Sequence, residues 1–288
     1  MTAVSLPAPS PSLVDEREDL RGEIRTIAMV WERELIRFVR TRTRILSSFV
    51  QPVLFLFVLG YGMSTLVGTT AGFTFKQFVF PGIVAMSVVM TAMFSAISIV
   101  WDREFGFLRE MVVAPVSRAS LVIGKTLGGA SIAAAQGTIM LVLAPLIGVH
   151  LTALLVIEVI GLELLMAVAM TTFGVFIASR IQKIEGFQVV MQLLLFPMLF
   201  LSGALFPLKG LPAWLAVITR LNPLTYAVDP LRHVVFAVQH MPPAAAVRFS
   251  TGVSLFGYTL PLFAEIGFVF GFAGLFLVLA VAGFGRPD

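Results

Sequence analysis

No cysteine occurs in the sequence, which excludes disulfides, thiol nucleophiles and thiolate metal sites together. Histidine is nearly absent too. His150, His233 and His240 are scattered, and the two that share a seven-residue spacing have no carboxylate cluster beside them to complete a metal site. Charged residues make up only 12% of the chain, against about 25% in ordinary soluble domains. In their place stand hydrophobic residues, at 58%, gathered into six long runs near 46–66, 79–100, 122–148, 153–178, 187–206 and 258–283.

A hydrocarbon layer roughly 30 Å thick needs about 20 apolar residues of helix to cross it. A buried helix of a soluble protein is usually shorter and carries a polar stripe. In lipid every backbone polar group must be satisfied within the chain, which leaves helices or closed barrels, and these runs lack the period-2 alternation of barrel strands. The expected fold is therefore all-α: a polytopic membrane protein with six transmembrane helices, an N-terminal amphipathic interfacial helix and external re-entrant helices between spans five and six.

The expected organisation is a flexible tail over 1–23, an interfacial helix over 24–45 and a six-span domain over 46–288. No internal repeat is visible, and the polar remainder leaves no room for a second, catalytic domain. The first run follows about 45 polar residues and lacks a small-residue cleavage site, so it reads as a retained span. Six spans put both termini on one side. If that side is cytoplasmic, fifteen of the twenty Lys and Arg fall inside, from Arg17 to Arg44 and at Arg103, Arg109, Arg118, Lys125, Arg180, Lys183 and Arg286. Lys76, Lys209, Arg220, Arg232 and Arg248 then lie outside, so the positive-inside bias favours cytoplasmic termini. The +4 net charge thus reports orientation. Without aromatic residues interleaved to stack on bases, it gives no nucleic-acid surface.

Ile24, Ile27, Ala28, Trp31, Leu35, Phe38 and Val39 recur at helical spacing, with Arg33, Arg37, Arg40 and Arg44 on another face. Such a helix lies at the membrane interface, its arginines beside anionic headgroups or a partner's acidic surface. Trp31 and Trp101 fit an aromatic belt at the same border. Spans two and three are linked by 101–118, dense in both signs of charge; as a helix it sets Phe105 and Leu108 on one side and offers carboxylates and arginines to a soluble partner. Segment 207–257 is too apolar for a plain loop, yet its runs Leu211–Thr219 and Leu224–Val238 are too short to cross. Asn222-Pro223 is a helix start, with Asn as cap and Pro at the first helical position.

Two separated stretches resemble a known family. Asp102-Arg103-Glu104-Phe105-Gly106, with Leu108, Arg109, Glu110 and Ala114-Pro115-Val116-Ser117-Arg118, is similar to the coupling motif of ABC transporter type-2 permeases. So is Leu221-Asn222-Pro223-Leu224-Thr225-Tyr226-Ala227-Val228-Asp229-Pro230-Leu231-Arg232, and together they look most like the daunorubicin-resistance branch. Phe107 stands where the family commonly has threonine. The resemblance implies a prokaryotic cell-membrane subunit that dimerises with a second copy or a paralogue. Two separate ATP-binding subunits would bind ATP and Mg, and the assembly would export a drug-like or lipid-like compound. Glu104, Gly106, Arg109, Glu110 and Pro115 would then form the ATPase-coupling element, and the N-terminal helix the interfacial elbow.

Chemistry within this chain is not expected. Ala119 to Thr126 misses the phosphate-loop pattern at its first position, where glycine is needed, and sits in a membrane helix. Gly124/Gly128 and Gly267/Gly271 instead have the spacing of close helix contacts. Three acids fall inside spans. Glu163, near the midplane, is expected to face the bundle or dimer interior, while Glu158 and Glu265 could reach interfacial water. Five residues set Glu158 and Glu163 about 140° apart, so they form no catalytic pair. The rival reading is an ion-coupled secondary transporter with Glu163 or Glu265 as proton carrier; such proteins usually show repeated halves or more spans.

Overall fold

The computed structural model describes residues 13–67, 69–70, 73–105, 117–208, 211–239, 254–255 and 258–284. Its main elements are helices: α1 (Leu13–Arg40), α2 (Arg42–Val67), α3 (Phe75–Ser95), α4 (Ile97–Glu104), α5 (Arg118–Met140), α6 (Ala153–Ala178), α7 (Ile184–Leu201), α8 (Ala213–Leu221), α9 (Pro223–Val238) and α10 (Leu262–Gly283). Two short antiparallel ladders, Thr69–Thr70 with Phe73–Thr74 and Ser254–Leu255 with Tyr258–Thr259, complete the described elements. Six helices are long and apolar enough to cross a membrane: α2, α3 continued by α4, α5 with the short turn after it, α6, α7 and α10. The protein is an all-α, multi-pass membrane protein.

Helix ends follow local chemistry. The Gln77 side chain accepts the Thr74 N–H at 2.9 Å before α3, Ser117 accepts from Ser120 N–H at 3.1 Å at α5, and Thr152 from Leu155 N–H at 3.2 Å at α6. Asn222 accepts from Leu224 N–H at 3.1 Å and Pro223 opens α9. Two boundaries differ from expectation. The interfacial helix starts at Leu13, inside the stretch expected to be a flexible tail, because 13–23 is rich in Leu, Glu and Arg, all strong helix formers, although the apolar period begins only at Ile24. It ends at Arg40, and Thr41 separates it from the first span, which opens at Arg42.

The centre of the bundle is α3. Phe78, Phe80, Ile83, Met93 and, just beyond it, Ile99 are fully enclosed by α2, α5, α6 and α9. Close approach depends on missing side chains. A Cβ at Gly129 would lie 2.1 Å from Ser95 Oγ and 2.8 Å from a Thr171 methyl, so spans two, three and four meet there. A Cβ at Gly82 would lie 1.8 Å from the Ala204 carbonyl oxygen. In lipid, where apolar surface gains nothing by association, such backbone contact supplies the dispersion energy that holds helices together. By contrast α2, α7 and α10 leave Leu54, Val58, Leu193, Phe196, Phe263 and Val278 exposed.

Candidate functional site

Charge collects at the end of the bundle where α1 meets α4 and α5. Lys125, at 4% exposure, projects from α5 and donates to Asp102 Oδ2 at 2.7 Å, Glu34 Oε1 at 3.2 Å and Ser98 Oγ at 3.2 Å. Arg33 donates to the same Asp102 oxygen at 3.2 Å, and Arg37 lies 3.8 Å from the other. Three cations thus share two carboxylates that are both nearly buried. A buried charge is tolerated only when paired in this way. Glycine brings the cluster's walls together: a Cβ on Gly124 would lie 2.8 Å from Val30 Cβ, and one on Gly128 would lie 2.7 Å from Glu34 Cβ. The Gly124/Gly128 spacing therefore seats α1 on span three. Among the described residues, nothing lies within 4 Å of a Cβ placed on Gly267 or Gly271.

The last turn of α4 reaches two more elements. Arg103 Nη1 donates to the Ser179 carbonyl at 3.0 Å and to Ile181 at 3.4 Å, at the end of α6. Glu104 Oε2 accepts the Ile184 N–H at 2.8 Å, at the start of α7. Trp101 packs against Phe105 in a tilted pair with ring centroids 5.2 Å apart, and Trp31 donates to Ser131 Oγ at 3.1 Å. Arg40 is exposed. Gly106, Arg109, Glu110 and Pro115, expected to complete the coupling element, lie outside the described residues.

Beside this cluster opens a cleft of about 550 Å³, lined by Glu34, Arg37 and Gln188 and by Phe38, Phe94, Trp101 and Ile132. A second cavity of about 290 Å³ shares Phe38, Thr91 and Phe94 with it and continues to Ser87 and Gln136. Gln136 is satisfied there, accepting from Thr91 Oγ1 and donating to the Ser48 carbonyl at 2.8 Å.

The opposite end is built on the second sequence stretch. Arg232 donates to the carbonyls of Gly203 and Ala204, and its guanidinium lies 4.3 Å from the Phe78 ring centroid. Gly203 takes φ 77°, a left-handed conformation that glycine adopts without strain, so α7 can end there and turn its carbonyls to the arginine. Burial draws the Arg232 pKa down to about 10, against the opposing pull of Asp229. Asn222 also donates to the Met198 carbonyl at 2.7 Å, and Tyr226 to Arg220 at 2.7 Å. These residues tie α8 and α9 to the end of span five.

The three intramembrane acids separate. Glu158 is exposed. Glu163 is fully buried, accepts from Thr138 Oγ1 at 3.2 Å and lies against Gly137, where a Cβ would come within 2.9 Å of its Oε1. Glu265 is 1% exposed, which corrects the expectation that it reaches interfacial water. It lies in the first turn of α10, where a carboxylate favours the positive helix pole; the Tyr226 phenol's pKa is raised chiefly by burial and further by the Glu265 carboxylate.

The sequence reading missed Glu34 and Lys125 as members of one site. A signal existed: a lysine inside an apolar run requires an acid within reach, and only partners outside the run could supply it.

Six helices long and apolar enough to cross a membrane, packed as a bundle with a charged, multiply tied end, suit the membrane subunit of a transporter. The chain belongs to the ABC-2 type transporter family, whose model matches residues 25–236. It is similar to the putative transport permease ycf38 of Cyanophora paradoxa, at 29% identity over 219 residues covering 73% of each protein. Nodulation protein J of Rhizobium leguminosarum bv. viciae is 29% identical over 211 residues, 70% of this chain and 79% of that protein. Nodulation protein J of Sinorhizobium fredii (strain NBRC 101917 / NGR234) is 28% identical over 247 residues, 83% of this chain and 88% of that protein. Family membership makes the chain a permease subunit and implies ABC ATP-binding subunits as its partners.

Proposed function

We propose that this chain is the non-catalytic membrane subunit of an ATP-driven exporter that moves a hydrophobic, drug-like or lipid-like compound out of the cytoplasm or inner leaflet. Two copies, or one copy and a paralogue, pair in the membrane, and each docks one ATP-binding subunit that holds ATP and Mg. Both termini are cytoplasmic, which puts the charged end of the bundle toward the ATPase. Segment 101–118 is then the coupling element, with Glu104 in its first turn and Gly106, Arg109, Glu110 and Pro115 further along it. The daunorubicin-resistance likeness rests on the two sequence stretches alone.

The observation that carries this reading is the rooting of the charged segment. Asp102, Arg103 and Glu104, at its root, contact α1, α5, α6 and α7, so a force applied at 105–117 would be transmitted to most of the bundle. The adjoining cleft, whose lining mixes charged and polar residues with Phe38, Phe94, Ile97 and Ile132, suits an amphiphilic cargo entering from the inner leaflet. Proteoliposomes holding the chain with its ATP-binding subunits test the proposal. Transport that stops on nucleotide depletion with ion gradients held supports it. Transport driven by an ion gradient without nucleotide would establish the ion-coupled alternative.

A further inference from the structure

Asp102, Arg103 and Glu104 are consecutive, so on a helix they point about 100° apart in turn. Each meets a different neighbour. Asp102 holds the cations of α1 and α5, Arg103 the C-cap carbonyl of Ser179 and that of Ile181 just past the end of α6, and Glu104 the first N–H of α7. The last two are matched in sign to what they touch. A helix carries about half a positive charge at its N-terminus and half a negative charge at its C-terminus, from N–H and carbonyl groups without intrahelical partners. Arginine sits on the negative pole of α6 and glutamate on the positive pole of α7.

The start of α7 has Glu185 in its first turn to favour the positive pole, but no side-chain cap from its own sequence. Lys183 occupies the N-cap with φ −113° and ψ 139°, the extended geometry of that position, but makes no side-chain cap bond. A lysine is cationic at a positive pole and has no acceptor to offer. The acceptor comes from Glu104, 80 residues earlier in the chain.

We propose that Glu104 and Arg103 tie spans four and five to the end of span two, so that displacement of span two carries the α6–α7 turn with it. Glu104 is a positioning residue acting through the Ile184 N–H, and the ATPase subunit does not touch it. The functional half of this rests on the export reading; the tie itself does not.

The test uses the whole chain in lipid nanodiscs, with and without its co-expressed ATP-binding subunits. Glu104→Ala should speed exchange of the Ile184 amide about tenfold, the low end for a charged hydrogen bond because Glu104 is exposed. Hydrolysis by the complex should fall while the ATP-binding subunits stay bound. The absence of native cysteine permits a covalent replacement of the tie. In the pair Glu104→Cys and Lys183→Cys, bridging by a short bifunctional thiol reagent should restore hydrolysis, and the unbridged pair should behave as Glu104→Ala. Unchanged amide exchange in Glu104→Ala would overturn the tie. Loss of the bound ATP-binding subunits in that variant would place Glu104 on the partner surface, and a bridged pair as inactive as the unbridged one would remove its positioning role. Failure of the unaltered chain to bind ATP-binding subunits would sink the export reading, and the exchange measurement on the chain alone would still decide the tie.

Discussion

Replacing Lys125 by methionine tests the energetics of the charged end most directly. The side chain keeps its length and apolar stem and loses the ammonium that bridges Asp102 at 2.7 Å and Glu34 at 3.2 Å. Removing one partner of a buried ion pair costs roughly 3–5 kcal/mol, because the other charge stays buried without compensation. Here Arg33 remains on both carboxylates and is half-exposed, which argues for the low end, about 3 kcal/mol. At 2–4 °C per kcal/mol, the scale for domains of about 150–250 residues, the apparent melting temperature in detergent should fall by about 6–12 °C. Tryptophan emission is a suitable probe, since Trp31 and Trp101 flank the cluster. The triple variant Lys125→Met, Asp102→Asn, Glu34→Gln removes the three buried charges together, leaves Arg33 and Arg37 half-exposed to water, and should recover most of the loss. High salt should change little, because the pair is screened from solvent. A Lys125→Met protein melting at the original temperature, or a triple variant as unstable as the single one, would refute the argument.

Sidedness follows from the charge bias: a membrane-impermeant thiol reagent on intact cells should label exposed His150→Cys and spare exposed Gln182→Cys, and the reverse pattern would invert the topology. Gly128→Leu should detach α1 and lower the yield of folded protein on size-exclusion chromatography, whereas Gly161→Leu, with nothing within 4 Å, should leave the profile unchanged. Glu163→Gln keeps an acceptor for Thr138 but cannot ionise, so ATP-driven export should persist in a vesicle assay; its loss at normal expression would make the acid functional. Arg232→Met leaves the Gly203 and Ala204 carbonyls without their donor and should cost about 1.5–3 kcal/mol, measured as a lower melting temperature in detergent.

The spans were legible in the sequence because lipid demands one long, charge-poor pattern, and starts such as Asn222-Pro223 were legible because cap and proline act locally. The start of α1 was not, since residues 13–23 carry helix propensity without an apolar stripe. Nor was the ion cluster. Lys125 lies 23 residues from Asp102 and 91 from Glu34, separations that no local period encodes. The string that nearly matched a phosphate loop has a different logic: Gly124 admits α1, and Lys125 neutralises two acids. Glu104 was read by its charge as a contact for a soluble partner, and its bond to Ile184 depends on how α4 meets α7.

The borrowed acceptor at the start of α7 also bears on biogenesis. The chain is made from its N-terminus, so Glu104 leaves the ribosome 80 residues ahead of the amide it will satisfy. When Lys183 and Ile184 emerge, the first turn of span five has no side-chain cap of its own, and the Ile184 N–H gains its side-chain acceptor only on meeting the end of span two. Its completion is thereby conditional on an earlier hairpin being in place. A fragment beginning at span three would carry an α7 whose Ile184 N–H has lost the acceptor it takes from Glu104.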